Sequence, residues 1–202
     1  MLKFVAFALF LTVVSVSGEG CCAPKQWESL VGIQNTTAVD GMIKVTQTYA
    51  MESYDFDRKK IAMVFPTEGF RMVQDYDKKK LYIIAGTYCS AIPWPYPMIN
   101  CIPENATLLF SYEMGGSGGL MVNQYNLDAF LHDFKGSMQF TDKCIPVSQQ
   151  QYFDSYVTMF GFTNVTTGIK DPSVFDVPSP PCPMDTDIDN VLKPLLFEPA
   201  QP

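Results

Sequence analysis

The sequence predicts a mainly β fold of the β-rich α+β class, in which an antiparallel meander carries one or two short helices. Short apolar runs separated by polar, glycine or proline turns recur along most of the chain, as is typical of strands. Apolar and polar residues alternate in several of these runs, whereas helical spacing is confined to two short stretches. These observations predict antiparallel sheet as the main architecture.

The predicted strands follow one another between turn signals. Ile43, Val45 and Tyr49 alternate with polar residues after Asp40-Gly41, which is a strong hairpin turn signal. Further runs of strand-like residues occupy positions 60–65, 70–73, 81–85, 108–114 and 120–125. Because the intervening turns are short, neighbouring runs are expected to pair as antiparallel hairpins.

The stretch from residue 152 to residue 162 is predicted as one strand that is covered on both faces. One face carries Tyr156, Phe160 and Phe162, and the other carries Phe153, Val157 and Met159. We expect core on one side and a pocket, a partner subunit or the segment 168–182 on the other.

Residues 92–103, here called the flap, combine four prolines with Trp94, Tyr96, Met98 and Ile99. Proline removes ladder donors, so this stretch cannot form a central strand. Two interpretations stay open. The flap is either a stiff surface loop over a core edge or an aromatic cover at the mouth of an apolar pocket.

Residues 168–182, here called the clasp, also contain several prolines but carry the apolar side chains Ile169, Val174 and Phe175. Such side chains usually fold back onto a core, and Cys182 could pin the segment covalently. A proline-rich connector that merely holds a cysteine is the alternative interpretation.

Two short helices are predicted. Leu127, Phe130, Leu131 and Phe134 recur at helical spacing behind Asn126, a plausible cap. The second helix is predicted from Ile188, Val191, Leu192 and Leu195. His132 falls on the polar face of the first helix and is expected to be exposed.

Residues 1–20 have the pattern of a secretory signal peptide, because Lys3 precedes an apolar run that ends in small residues. The run is too short to span a bilayer, and no other stretch is apolar enough to do so. Residues 21–202 are therefore expected to form one secreted, extracellular domain without a transmembrane segment. Cleavage removes Lys3 and Glu19, one charge of each sign, so residues 21–202 keep the net charge of −7. This acidity argues against a nucleic-acid partner, since phosphate binding needs clustered Lys and Arg.

Covalent features agree with an oxidising compartment. The six cysteines are expected to form three disulfides, although spacing alone leaves their pairing open. They are Cys21, Cys22, Cys89, Cys101, Cys144 and Cys182. Sequons at Asn35, Asn105 and Asn164 predict a glycoprotein and place all three asparagines at the surface.

Three motifs resemble the ependymin-related proteins. They are GIKDPSVF at residues 168–175, CCAPKQWE at residues 21–28 and CIPV at residues 144–147. The motifs stand in the family's order and span nearly all of the mature chain. The resemblance implies one ependymin-like domain over residues 21–202, and it pairs Cys89 with Cys182 and Cys144 with either Cys21 or Cys22. Cys101 would then take the other member of the doublet.

The same resemblance implies a fold like that of bacterial lipoprotein carriers, with curved antiparallel sheets enclosing a hydrophobic pocket. It also implies a homodimer, a lipid or other hydrophobic small molecule as ligand, and an association with calcium. A cysteine near the C-terminus of the vertebrate proteins is missing here, which leaves the third disulfide the least defined.

Catalysis and metal binding find little support in the residues. His132 is the only histidine, and the cysteines are expected to be oxidised, so no nucleophilic triad is predicted and the protein is not expected to be an enzyme. Asp185, Asp187 and Asp189 have the spacing of the first ligands in an EF-hand calcium loop. However, Asn190 stands where that loop needs glycine and Leu196 where it needs the bidentate glutamate. Calcium thus stays open as a cofactor, with no metal-ligating residue assigned.

The first functional hypothesis is noncovalent binding of a lipid-like ligand, since 15 Phe, 10 Tyr and 11 Met exceed the need of a simple two-layer core. The pocket would be lined by the alternating apolar residues, with the candidates Trp94, Tyr96, Met98, Tyr156, Phe160 and Phe162. The alternative hypothesis is a calcium-associated protein of the extracellular matrix or of cell adhesion, without carrier function. A dense core with a dimer interface would use the same apolar residues.

Overall fold

The computed structural model describes residues 20–39, 42–127, 135–153, 156–179 and 182–184. Residues 1–19 of the predicted signal peptide, positions 128–134 and 188–195 of the predicted helices, His132 and the aspartates at 185, 187 and 189 lie outside these ranges. The strands are β1 Gln26–Val39, β2 Met42–Asp55, β3 Lys60–Phe65, β4 Phe70–Asp75, β5 Lys80–Ala85, β6 Tyr88–Pro93, β7 Thr107–Met114, β8 Leu120–Asn126, β9 Lys135–Thr141, β10 Pro146–Tyr152 and β11 Tyr156–Thr167. A 3₁₀ helix spans Pro172–Phe175.

Eleven strands of the described chain form one antiparallel sheet in the order β6-β5-β4-β3-β2-β1-β11-β10-β9-β8-β7. The sheet is curved and does not close into a barrel. β1 lies at the centre, where it pairs with β2 from Gln26 to Val39 and with β11 on its other side. Two meanders run outward from this centre and end at the edge strands β6 and β7, so the predicted antiparallel β class is confirmed.

Hairpin chemistry explains the first meander. β2–β3 and β4–β5 are joined by four-residue loops that begin after Asp55 and Asp75, which are 1% and 2% exposed. Each aspartate accepts a hydrogen bond from the backbone N–H three residues later. Lys59 and Lys79 end the loops with φ near +54° and +52°, the left-handed conformation that closes such a turn. The buried carboxylates thus fix both turns.

The prediction of a single strand over residues 152–162 is wrong. β10 ends at Tyr152 and β11 begins at Tyr156, and the two strands pair with each other as neighbours. Phe153 donates its backbone N–H to the carbonyl of Tyr156 across this turn. Bulky residues on both sides of a turn resemble one continuous strand in the sequence, and this explains the error.

One face of the sheet, called the inner face, carries the main apolar cluster. Register places the cluster on β1–β6, and Phe160 and Phe162 of β11 pack against it. Its buried members are Val31, Ile33, Ala50, Met63, Phe65, Phe70, Met72, Leu81, Ile83 and Ile92. Burying this many apolar side chains is the main driving force that holds the first meander together.

β2 presents its alternating apolar residues on the opposite, outer face. Ile43, Val45 and Tyr49 are 75%, 50% and 44% exposed, whereas Ala50 faces the inner cluster. The expectation that the alternating apolar residues line the pocket is therefore wrong for this strand. The alternation identified the strand but not the face that is buried, since β1 and β3 fix the register of β2.

The clasp lies across the outer face of β3–β6. Phe175 is 2% exposed and packs with Ala62, Val73 and Tyr82 in a second apolar cluster. Arg71 on β4 donates to the carbonyls of Ser173, Val174 and Asp176 at 3.2, 3.3 and 2.6 Å. Two interpretations of residues 168–182 were open, and the structure agrees with the one in which the segment folds back onto the sheet. It covers β3–β6 rather than the outer face of β11.

Three disulfides fix the ends of the chain to the sheet. Cys89 pairs with Cys182, Cys21 with Cys144, and Cys22 with Cys101. This is the arrangement that the family resemblance implied, with the two members of the doublet now distinguished. Cys89–Cys182 ties the clasp to the edge strand β6, where Ala91 also donates its N–H to the carbonyl of Pro183 at 2.8 Å.

Candidate functional site

The flap packs against the end of the inner face at which β1 begins and β2 ends. Tyr54 on β2 donates its hydroxyl proton to the carbonyl of Ile99 at 2.7 Å. The flap and the N-terminal segment are joined by backbone hydrogen bonds. The N–H of Ala23 donates to a carbonyl of the flap and the N–H of Ile102 donates to a carbonyl of the N-terminal segment, each at 2.8 Å. The disulfide Cys22–Cys101 joins the two segments covalently. The flap is thus held at both the sheet and the N-terminal segment.

The six predicted pocket residues fall into three groups. Trp94, Phe160 and Phe162 pack against the inner apolar cluster, and Trp27 contacts Phe162 edge-on at a ring distance of 5.8 Å. Tyr156 lies at the opposite end of β11, where its ring stacks on Phe153 at 4.3 Å. The remaining two, Tyr96 and Met98, line a surface cleft described next.

The cleft has a volume of about 340 Å³ and lies beside the flap. Residues 95–98 form one wall, and Tyr76, Asp77, Lys79 and Lys59 from the two hairpin loops form the other. Trp94 connects the cleft to the inner face, because its ring contacts Tyr96 edge-on at 4.9 Å and also packs on the apolar cluster. The volume lies at the lower end of the range for small-molecule sites.

Glu52 is a buried acid on the inner face. It stands directly opposite Ser29 on β1 and Met63 on β3, and it is 9% exposed. Among the described residues its carboxyl has no hydrogen bond or ion pair, and burial raises its pKa from 4.5 to about 8. The side chain is therefore largely neutral at pH 7.

Two tyrosines surround this carboxyl. Burial raises the pKa of Tyr54 and of Tyr76 above the usual range, and the negative charge that Glu52 can carry raises both further. Tyr76 donates its hydroxyl proton to the Gln74 side chain at 2.6 Å. Both phenols therefore remain neutral hydrogen-bonding groups.

Buried polar atoms without partners recur on this face. The indole nitrogen of Trp27 and the hydroxyl of Ser29 are buried without a hydrogen-bond partner in the described structure. Sequence reasoning missed Trp27, Ser29 and Glu52 as functional candidates. Their one sequence signal is the spacing of Trp27 and Ser29, which places them two residues apart and hence on one face of a strand.

The three sequons differ in exposure. Asn105 and Asn164 are exposed, in agreement with the expected surface position. Asn35 is 3% exposed on β1, and its side-chain carbonyl accepts a hydrogen bond from Thr158 at 2.7 Å. The expectation of a surface position is therefore wrong for Asn35, because its side chain lies on the same face of β1 as the buried Val31 and Ile33.

No group of three or more His, Cys, Asp or Glu residues suited to a metal ion occurs within the described ranges. The acidic positions Asp185, Asp187 and Asp189 lie outside them. The part of the chain that the structure describes also contains no helix that is long and apolar enough to span a membrane.

Comparison with known proteins finds chains of similar structure and of similar sequence. A search of solved structures finds an uncharacterized conserved protein from Thermus thermophilus, at a TM-score of 0.48 and 8% identity over 80% of this chain and 91% of that one. It also finds a LolA-superfamily protein from Nitrosomonas europaea, at a TM-score of 0.37 and 8% identity over 77% and 92% of the two chains.

Among curated proteins, ependymin-related protein 1 of Haliotis asinina is 27% identical over 195 residues, which cover 85% of this chain and 95% of the relative. The sequence profile of the ependymin family matches residues 66–182, which include the flap, the second meander and the clasp. The chain therefore belongs to the ependymin family.

Proposed function

We propose that the protein is a secreted, disulfide-bonded glycoprotein that binds a lipid or a similar hydrophobic molecule noncovalently and catalyses no reaction. The observation that carries this proposal is the inner apolar cluster of β1–β6, which extends to Phe160 and Phe162 and meets the flap at Trp94. The central members of the cluster are buried, so a hydrocarbon chain would meet its partly buried margin at Trp94, Phe160 and Phe162.

The flap cleft supports the same function because it gives access to that face. Tyr96 and Met98 line the cleft, and Trp94 links them to the cluster. Methionine adapts its shape to irregular apolar ligands, and tyrosine offers an apolar ring with a polar end. We propose that a ligand enters beside the flap and lies along the inner face.

Native mass spectrometry of the secreted, deglycosylated protein tests this function. We expect adducts of lipid mass that disappear on denaturation. Tyr96→Ala should reduce their occupancy, whereas Tyr88→Ala should not, since Tyr88 is an exposed tyrosine of β6 outside the cleft lining. Clean apo masses after incubation with mixed lipids would contradict the proposal. Calcium-dependent assembly without lipid would instead favour the matrix or adhesion role.

We also propose that the protein forms a homodimer through the outer face of β1, β2 and β11. Leu30, Met51 and Met159 are exposed there to 38%, 50% and 40%. Gly32 and Gly161 are paired beside them, and no other atom lies near the position of an added Cβ at either glycine. A flat apolar strip of this kind allows the sheet of a second copy to approach closely.

The oligomeric state tests this surface. Met51→Glu should shift the protein from dimer to monomer in light scattering coupled to size exclusion, because a charge would be buried in the contact. Met114→Glu, at an exposed methionine of β7, is the matched control and should leave the dimer intact. A monomeric wild type, or equal effects of both variants, would contradict the proposed interface.

A further inference from the structure

Three buried residues with polar side-chain groups lie together beside the inner apolar cluster. They are Trp27, Ser29 and Glu52, and this group is here called the polar recess. Register places Ser29 directly opposite Glu52 and Trp27 directly opposite Tyr54, so all of them share one face of β1 and β2. Trp27 stacks on Tyr54 at a ring distance of 5.1 Å. The recess therefore lies where the flap meets the sheet, since Tyr54 holds the flap.

The recess is buried but its polar groups are not satisfied. Trp27, Ser29 and Glu52 are 4%, 6% and 9% exposed. The buried indole nitrogen of Trp27 and the buried hydroxyl of Ser29 have no hydrogen-bond partner in the described structure. Folded proteins rarely leave adjacent buried polar groups unpaired, so the arrangement indicates a missing partner.

We propose that the polar recess binds the carboxyl head of a long-chain amphiphile whose hydrocarbon tail lies along the partly buried margin of the inner apolar cluster, at Phe162, Phe160 and Trp94. This inference rests on the proposed function and specifies the chemical class of its ligand. The head must supply acceptor oxygens for the Trp27 N–H and the Ser29 hydroxyl, and it must pair with the acid of Glu52. A carboxylate does both, because its two oxygens accept the proton of the neutral Glu52 carboxyl and the hydrogens of the Trp27 N–H and the Ser29 hydroxyl.

The charge of the recess agrees with this head. Burial raises the pKa of Glu52 to about 8, so its carboxyl is a proton donor at pH 7. The groups that face it are Ser29 from β1, Met63 from β3 and the neutral phenols of Tyr54 and Tyr76. No salt bridge of the described residues involves Glu52. A carboxylate brings a single negative charge, whereas a phosphate monoester brings about two, and no described cation pairs with Glu52 to balance the second.

The cleft mouth offers a competing location for an acidic head, since Lys59 and Lys79 line it together with Asp77. These side chains are on the hairpin loops, whereas the recess lies on β1 and β2. Substitutions can therefore separate the two locations. A head at the mouth would depend on Lys79, and a head in the recess would depend on Ser29 and Glu52.

The test compares three probes of equal chain length on the full secreted protein at pH 7 by native mass spectrometry. They are hexadecanoic acid, its methyl ester and hexadecylamine. We expect the acid to bind about tenfold more tightly than the ester, the effect of one well-made hydrogen bond. Ser29→Ala and Glu52→Met should each reduce this preference to less than about twofold. Ile83→Val, within the apolar cluster, should weaken all probes and leave the preference unchanged.

Each outcome decides one question. If no probe binds the wild type, the proposed lipid-binding function fails. If the ester binds as tightly as the acid, the function stands and the recess assignment is wrong. Loss of the preference in Lys79→Met, with Ser29→Ala unaffected, would place the head at the cleft mouth. Tightest binding of the amine would mean that Glu52 acts as a charged counter-ion, which would also overturn the proposal.

Discussion

Glu52→Gln should raise the free energy of unfolding, and the increase should grow with pH. The folded protein holds the Glu52 carboxyl in an apolar site that raises its pKa from 4.5 to about 8. Below the lower value both the folded and unfolded states are protonated, so the carboxyl adds no pH dependence. Between the two values only the unfolded state ionises, and wild-type stability falls as pH rises.

The magnitude follows from the two pKa values. The wild type should lose about 1.4 kcal/mol per pH unit within this window, which amounts to about 3 kcal/mol at pH 7 and about 5 kcal/mol above pH 8. The neutral amide of Gln has no such dependence. Any cost of packing the amide is independent of pH. It therefore shifts the difference in unfolding free energy between variant and wild type by a constant and leaves the pH dependence of that difference unchanged.

Guanidinium unfolding from pH 4 to pH 9, with the disulfides intact, measures this difference. The sequence has two tryptophans, Trp94 packed on the inner cluster and Trp27 packed on Phe162 beside it, so their fluorescence reports the loss of this face. Glu104→Gln removes an exposed carboxyl and controls for the change in net charge. A stability difference that stays constant with pH would refute the reasoning. One that shrinks as pH rises would show that Glu52 is charged and paired in the folded state.

Three further predictions concern the clasp and the glycans. Phe175→Ala should lower the free energy of unfolding by about 3–5 kcal/mol in guanidinium unfolding, and a change below about 1 kcal/mol would mean that the clasp does not pack on the sheet. Cys89→Ser opens a loop of 93 residues and should cost about 4 kcal/mol by the same measurement, and an unchanged midpoint would contradict the disulfide's contribution. Peptide mapping of the secreted protein should find glycans at Asn105 and Asn164 but none at Asn35, and an occupied Asn35 would contradict its burial.

The first meander could be predicted from the sequence because its loops and strands carry matching local signals. β3 spans Lys60–Phe65, the predicted bounds, and Gly69 closes the next turn with φ near +72°. Turn chemistry of this kind acts within a few residues, so the sequence displays it directly. Long-range pairing is different. The disulfide arrangement was implied by family resemblance and not by any local pattern.

Strands that depend on their neighbours were harder to predict. β10 contains Gln149, Gln150 and Gln151 and shows no apolar alternation, yet it pairs with β9 and β11 on its two sides. β1 contains Gly32 and a sequon at Asn35, which both argue locally for a loop. Backbone pairing on both edges stabilises both strands, and Val31 and Ile33 of β1 add apolar packing that its local signals do not reveal.

Glu52 shows why the polar recess escaped sequence analysis. Within Met51-Glu52-Ser53-Tyr54, an ordinary amphipathic strand would bury Met51 and expose Glu52. The structure reverses this, with Met51 50% exposed and Glu52 buried. Register is set by pairing along the whole of β1 and β3, so one strand's own pattern cannot determine which face is covered.

The buried acid connects stability to ligand binding. A neutral carboxyl without a partner destabilises the unliganded fold, whereas a ligand head that pairs with it adds stability only to the complex. Glu52→Met, which removes the donor as well as the ionisable group, should therefore stabilise the unliganded protein at pH 7 and at the same time reduce the rise in melting temperature that hexadecanoic acid produces. A purely structural acid would show the first effect without the second. Opposite changes in one variant would thus identify Glu52 as a ligand-binding group whose burial is maintained at the expense of stability.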